Sequence, residues 1–444
     1  MRRLMPFLIL STIFLFGGCS VLNQFSGDNT AVSATATPTP SPTPNPQIGA
    51  TPNPNEPSTP ITETQTTITV WIAPEIYNTT EEGNVILQSQ LQAFQNTHPE
   101  IILISEPKAV TGQGSILNYL RTGKNVAPSI LADIVTIPAN QLSAGFNEGL
   151  LYSLNGSITS VELEDLYPAA LDMALSNEQI RGYPFILTNL PHLAYNSTAY
   201  TETVTSNWDV FIESPSQKFA FPANGQAGAT LALQFYLAAG GTLINEAGQQ
   251  ELQFEPLVTA LTQLEKGKLN GFIVPQSSNL NSLQDSWQLL KGVQEPNVTI
   301  VQTASEQYLT ERSDELSIGF QVIPGINRPL VPLVNGWVWA VSTSDPEKQQ
   351  LVSDLIHILI QPDNLAEWSS ASHYLPSRRS SLNIWPAEDT YTAFAQQQLL
   401  LANLHPLTGS TKMMAALNNA VFDVVSLSKS PQQAAEEAIL SLQE

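Results

Sequence analysis

Cysteine occurs once in the 444 residues, at position 19, so no disulfide can form within the chain. Basic residues are also scarce. Seventeen Lys and Arg stand against 39 Asp and Glu, a formal charge of −22, and none of the 17 falls between Arg3 and Lys108. That balance argues against nucleic acid and anionic membrane surfaces as partners. The five histidines, at 98, 192, 357, 373 and 405, lack metal-ligand spacing. Gly112-x-Gly114 lacks the third glycine of a dinucleotide loop. Neither a metal nor any other cofactor is therefore expected. Long apolar runs are missing too. A spanning helix needs about 20 apolar residues, and every apolar stretch beyond Phe16 is broken by polar residues within one or two turns.

What is present begins at the N-terminus. Arg2 and Arg3 precede an apolar stretch from Leu4 to Phe16, and Gly17 and Gly18 precede Cys19. A basic start, a short apolar core and small residues at the cut are the features of a secretory signal. Leu15-Phe16-Gly17-Gly18-Cys19 resembles the lipobox of bacterial lipoproteins. The resemblance implies a signal peptide over 1–18 and lipid on the sulfur of Cys19. Two or three acyl chains, at about 0.8 kcal/mol per buried CH₂, would hold such a protein on a membrane. Residues 19–65 follow, with prolines at 38, 40, 42, 44, 46, 52, 54, 57 and 60 among Thr, Ser and Asn. Such a segment buries little apolar surface and is expected to be a disordered tether.

From residue 66 the pattern is that of a folded α/β protein. Thr67–Ile72 reads as a strand, Leu87, Leu91 and Phe94 recur at helical spacing, and Ile101–Ile104 reads as a strand buried on both faces. Another strand is expected at Leu131–Val135. Further strands are expected at Lys218–Phe221, Ile318–Ile323 and Trp337–Val341, and helices at Ala229–Ala239, Leu257–Lys266 and Pro346–Ile360. The end reads as helical, over Tyr391–Leu401, Lys412–Leu427 and Pro431–Leu440. About 380 residues exceed what one core normally holds, so two lobes are expected.

Several motifs, in order, carry a wider resemblance. They are Ala132-Asp133-Ile134-Val135 with Gly149–Leu154, Gly182-Tyr183-Pro184-Phe185 with Leu193-Ala194-Tyr195-Asn196, and Asn207-Trp208-Asp209. Trp287–Gly292, Asn335-Gly336-Trp337 with Ala340-Val341-Ser342, and Tyr374–Arg378 complete the set. The chain thus resembles the sugar-binding, maltose-binding-protein-like branch of the extracellular solute-binding proteins of ABC importers. The resemblance implies a two-lobe periplasmic-binding-protein-like (type II) α/β fold with hinge crossings and a helical C-terminal stretch. Crossings would fall near Tyr183–Leu190, Gly325–Leu333 and Ser372–Ser377. The N-terminal lobe would comprise 66–185 plus 332–373, and the C-terminal lobe 190–325 plus 377–444.

A sugar offers apolar C–H faces and a rim of hydroxyls, so its site needs flat aromatic surfaces and short polar side chains. Trp71 and Trp337 lie near the ends of predicted strands, where α/β folds place ligands, and Trp339 is left as core. Thr136 and Asn140 follow from the loop that the resemblance aims at the cleft, and Gln113 from the loop Thr111–Ser115. Gln226, Ser305, Tyr308 and Tyr374 complete the candidates, while Asp133 reads as a structural carboxylate. No catalytic residue is expected. The expected protein is a monomeric, lipid-anchored receptor on the extracytoplasmic face of a bacterial membrane. It would capture a mono- or oligosaccharide, or a similar polar solute, and deliver it to the permease subunits of an ABC importer. A surface-anchored glycoside hydrolase or lyase, or a ligand sensor for a membrane kinase, stays open as an alternative.

Overall fold

The computed structural model describes residues 65–176, 178–199, 205–214, 216–292, 297–312, 317–407 and 410–443. Cys19 and the expected signal and tether lie outside them. The strands, in chain order, are β1 (Thr66–Ile72), β2 (Ile101–Pro107), β3 (Ile134–Pro138), β4 (Leu175–Ser176), β5 (Gln179–Ile180), β6 (Tyr183–Thr188) and β7 (Pro191–Asn196). They continue with β8 (Phe219–Ala220), β9 (Ile300–Ala304), β10 (Ile318–Gln321), β11 (Leu333–Val341), β12 (Leu375–Pro376) and β13 (Asn403–Leu404).

The first βαβ unit forms as its sequence requires. Thr80 caps the helix Glu81–Thr97 by accepting from the Gly83 amide, and Leu87, Leu91 and Phe94 bury one face of that helix. β1 pairs in parallel with β2 and with β3. The buried carboxylate of Asp133 fixes this layer. It accepts from the Thr69 amide at 2.9 Å and from Lys348 Nζ at 3.1 Å, which ties in the helix Pro346–Leu359. β2 differs from its expected burial. Among the described residues it pairs only with β1, at the sheet edge, so Ile102 and Ile104 remain 40% and 41% exposed. The expected strand at Leu131–Val135 begins three residues later, after a short 3₁₀ turn at Pro128–Ile130.

The larger sheet runs β12-β6-β11-β3-β1-β2, with β13 beside β11, and carries the first lobe. A four-stranded sheet, β10-β7-β9-β8, carries the second. Its core gathers Trp208, Phe219, Phe235 and Phe272 beneath the helices Gln226–Ala238, Phe254–Leu269, Thr411–Val425 and Pro431–Gln443. Trp208 Nε1 donates to the Gln263 carbonyl at 2.9 Å, so its polar atom is satisfied inside that core.

The chain passes between the sheets three times. β6 belongs to the first and β7 to the second, so the first passage is confined to Asn189 and Leu190. The second joins β10 to β11. The third differs from the expected position at Ser372–Ser377. There Leu375 and Pro376 form β12, paired to β6 at the sheet edge, and Ser377 Oγ donates to the Pro184 carbonyl at 2.7 Å. The chain leaves the first sheet only after β13, which pairs with Leu333 and Val334 of β11, and then enters the helix Thr411–Val425.

Candidate functional site

Two chambers open where these passages meet. One, of about 540 Å³, is walled mainly by the second lobe, including Gln226, Thr230, Asn281, Gln302 and Thr303. The other, of about 600 Å³, is walled mainly by the first lobe, including Asn140, Ser143, Asp172, Arg181 and Trp337. Asn189, Asn335 and His405 line both. Each of the three sits at or beside a passage, so the chambers form one cleft with the hinge as its floor. Each chamber alone falls within the roughly 300–1,000 Å³ of a small-molecule site.

Local chain geometry sets the walls. Gln226 is the first residue of its helix, and Gly225 caps it. A Cβ at Gly225 would strike the Asn281 carbonyl oxygen, so glycine lets the Asn281 loop close against the helix start. Asn224 Nδ2 donates to Asn281 Oδ1 at 3.0 Å and holds that loop. Gln302 is buried on β9. Its Nε2 donates to the Ala227 carbonyl at 3.0 Å, and its side-chain oxygen Oε1 has no partner among the described residues. In the other wall, Gln141 Nε2 donates to the Val110 carbonyl at 2.9 Å, which fixes the helix Ala139–Asn147 beside its neighbouring loop. Trp337 is half-buried on β11, and the pairing with β6 shifts register between Trp337 and Val338.

The lining is almost free of charge. Asp172 and Arg181 are its charged members among the described residues. Burial pushes the imidazole of His405 below its ordinary range, so it is neutral near pH 7. Its Nδ1 accepts from the Leu407 amide at 3.2 Å, which leaves Nε2 as the protonated nitrogen, 3.3 Å from Thr230 Oγ1. The remaining polar groups are amides and hydroxyls. Such a wall can both donate to and accept from a polyhydroxylated solute.

The sequence profile described as bacterial extracellular solute-binding protein matches residues 95–396, more than half of the chain. The chain belongs to that family. No curated protein is similar enough in sequence to match it. Several solved structures share its fold. The cyclic alpha-maltosyl-1,6-maltose binding protein of Arthrobacter globiformis superposes with a TM-score of 0.68 at 14% identity, covering 85% of this chain and 98% of that one. The maltose-bound MalE3 of T. maritima gives 0.64 at 15% identity, with 85% and 99% covered. The maltose-binding periplasmic protein MalE of Listeria monocytogenes, in complex with maltose, gives 0.66 at 14%, with 85% and 97% covered.

Of the residues nominated for ligand in this solute-binding protein, Asn140, Gln226 and Trp337 line the chambers. The other six lie elsewhere. Trp71 is 3% exposed and packs edge-on to Tyr119 at 5.9 Å, with Lys108 Nζ 5.0 Å over its ring. Gln113 is exposed in its loop, where its main-chain carbonyl accepts from Asn118. Thr136 is fully buried and accepts from the Ala73 amide at 2.7 Å. Ser305 is equally buried, against Leu190 and Glu306. Tyr308 stacks on Tyr391 at 4.4 Å inside an aromatic cluster. Tyr374 donates to the Glu75 carbonyl at 3.1 Å and stacks on Trp368. Five of the six are spent on packing or on protein hydrogen bonds, and Gln113 stands exposed outside both chambers. Asn189, Asn335, His405, Gln302 and Arg181 were missed, because short polar residues between strands carry no periodic signal. Asn189 alone had one. Asparagine tolerates positive φ, and its φ here is 61°.

Proposed function

We propose that this solute-binding protein is a lipid-anchored, extracytoplasmic receptor that captures a carbohydrate in its interlobe cleft and delivers it to the permease of an ABC importer. One observation carries the reading. A tryptophan, Trp337, lines a cleft whose walls come from both lobes and set amides and hydroxyls among apolar side chains such as Leu283, Leu333 and Met414. An indole face covers sugar C–H groups, and the amides meet the hydroxyl rim. Three of the structures that share the fold are named for maltose or a maltosyl sugar, which supports the same class. Because the two walls belong to different lobes, a solute that touches both favours closure, and the closed form docks on the permease as a monomer. The solute leaves unchanged. A glycoside hydrolase needs two facing carboxylates, whereas Asp172 is the carboxylate that lines the cleft among the described residues.

Lipid on Cys19, with residues 19–65 as tether, would hold the receptor at the membrane. Cys19→Ser should move the protein from the membrane to the soluble fraction. The central test is a thermal-shift screen over sugars, polyols, amino acids and polyamines, followed by small-angle scattering with each hit. A saccharide that raises Tm and compacts the protein supports the reading. A hit confined to amino acids or polyamines, or turnover of an oligosaccharide by the purified protein, overturns it.

A further inference from the structure

Arg181 is the feature of the cleft that a neutral sugar does not explain. It lines the first-lobe chamber, is only 9% exposed, and has no carboxylate partner among the described residues. Its Nη1 donates to Ser143 Oγ at 3.3 Å, its guanidinium lies 5.1 Å from the Phe146 ring, and its Nε is buried without an acceptor. A guanidinium carries five donors, and here one reaches a protein acceptor among the described residues. Burying a cation without a counter-charge is unfavourable, and an aromatic face offsets only part of that. The chain as a whole is strongly negative, so an acidic partner could readily have been placed beside it. Asp172 lines the same chamber, yet no ion pair between it and Arg181 is found among the described residues.

We infer that the solute is an anionic saccharide, whose oxyanion supplies the missing counter-charge at Arg181 while the amide-lined chamber holds a neutral sugar unit. This rests on the carbohydrate reading above and narrows it. A guanidinium presents paired N–H groups that match the two oxygens of a carboxylate or of a phosphate. Asp172 can accept from a sugar hydroxyl in the same chamber. Trp337 and Arg181 line one chamber and Gln226 and Gln302 the other, so the cleft has room for more than one sugar unit.

Calorimetric titration of the purified protein tests this. Maltose, cellobiose and α-1,4-galactobiose are each compared with their uronate counterparts and with a phosphorylated form. At least one uronate or phosphate should bind tenfold or more tighter than its neutral parent, and the better arm identifies the oxyanion. Arg181→Gln should lose that preference, falling about tenfold to a hundredfold for the anion and little for the neutral sugar. Arg181→Lys should recover part of it. Should Arg181→Gln fail to fold, salt dependence in the unaltered protein decides. Raising ionic strength should weaken the anion and leave the neutral sugar unmoved. Equal affinity for neutral and anionic forms, or an unchanged preference in Arg181→Gln, overturns the inference while neutral-sugar binding keeps the carbohydrate reading. If no saccharide of either kind binds, both fall.

Discussion

The main-chain amide of Asn189 donates to both carboxylate oxygens of Glu306, at 2.8 and 3.1 Å. Asn189 belongs to the first passage between the sheets and lines both chambers, and Glu306 is the second residue of the helix Ser305–Glu311 that follows β9 of the second lobe. Ser305 Oγ adds a donor to the same carboxylate at 3.0 Å. Burial pushes the Glu306 carboxyl up, while these donors pull it back. The bond pins a residue held at φ 61°.

Removing that carboxylate should loosen the hinge. Glu306→Ala leaves the Asn189 amide without its acceptor and is expected to cost about 1–3 kcal/mol. Solute affinity should fall with it, because the passage is no longer preorganised. Chemical denaturation and calorimetry read the two effects. Unaltered stability in Glu306→Ala would show that the crossing does not depend on this clamp.

The two tryptophans of β11 should separate binding from folding. Trp337 is half-buried in the cleft wall, whereas Trp339 is buried and stacks on Phe185 at 5.0 Å. Trp337→Ala should weaken saccharide binding by about 2 kcal/mol with little change in Tm. Trp339→Ala should cost about 3–5 kcal/mol of stability. If both variants behaved alike in melting and titration, Trp337 would belong to the core.

His192 makes stability depend on pH. It is fully buried among the rings of Tyr308, Tyr391 and Phe394, and its Nδ1 donates to the Leu190 carbonyl at 3.1 Å. Burial lowers its pKa to about 4, from 6.5 for a free imidazole. The unfolded chain therefore takes up a proton between those values and the folded chain does not. The contribution is complete above pH 6.5, is lost progressively as pH falls towards 4, and totals about 3 kcal/mol. His192→Phe fits the ring cluster and should flatten the stability profile across that window. An identical profile in the variant would show that the imidazole titrates normally.

The fold was more legible than the site. Helix periodicity in Leu87, Leu91 and Phe94, and the strand runs at Thr67–Ile72 and Trp337–Val341, report local burial, and burial decides those elements. Ile101–Ile104 misled because an apolar run does not say whether a neighbouring strand will cover it. The third passage was placed at Ser372–Ser377 by resemblance alone, whereas Leu375 and Pro376 pair with β6, as an edge strand admits proline. In the cleft, residue type alone could not tell Trp337 from Trp71, since both lie on strands and differ only in what packs over them. Thr136 and Ser305 are polar, but their polarity is consumed inside the protein, and the ring of Tyr308 is packed among other aromatics.

Glycine at 225 gives a test of the second-lobe wall. An added methyl would strike the Asn281 carbonyl, which is main chain and cannot rotate away. Gly225→Ala should push the Asn281 loop off the start of the helix Gln226–Ala238 and widen that chamber. Saccharide affinity is expected to drop about tenfold, the loss of roughly one good hydrogen bond. Gly248→Ala is the control. Its φ is 76° with open space around it, so it should lower stability by about 1–2 kcal/mol through backbone strain and leave affinity alone. If Gly225→Ala bound as tightly as the unaltered protein, Asn281 and its loop would have no part in holding the solute.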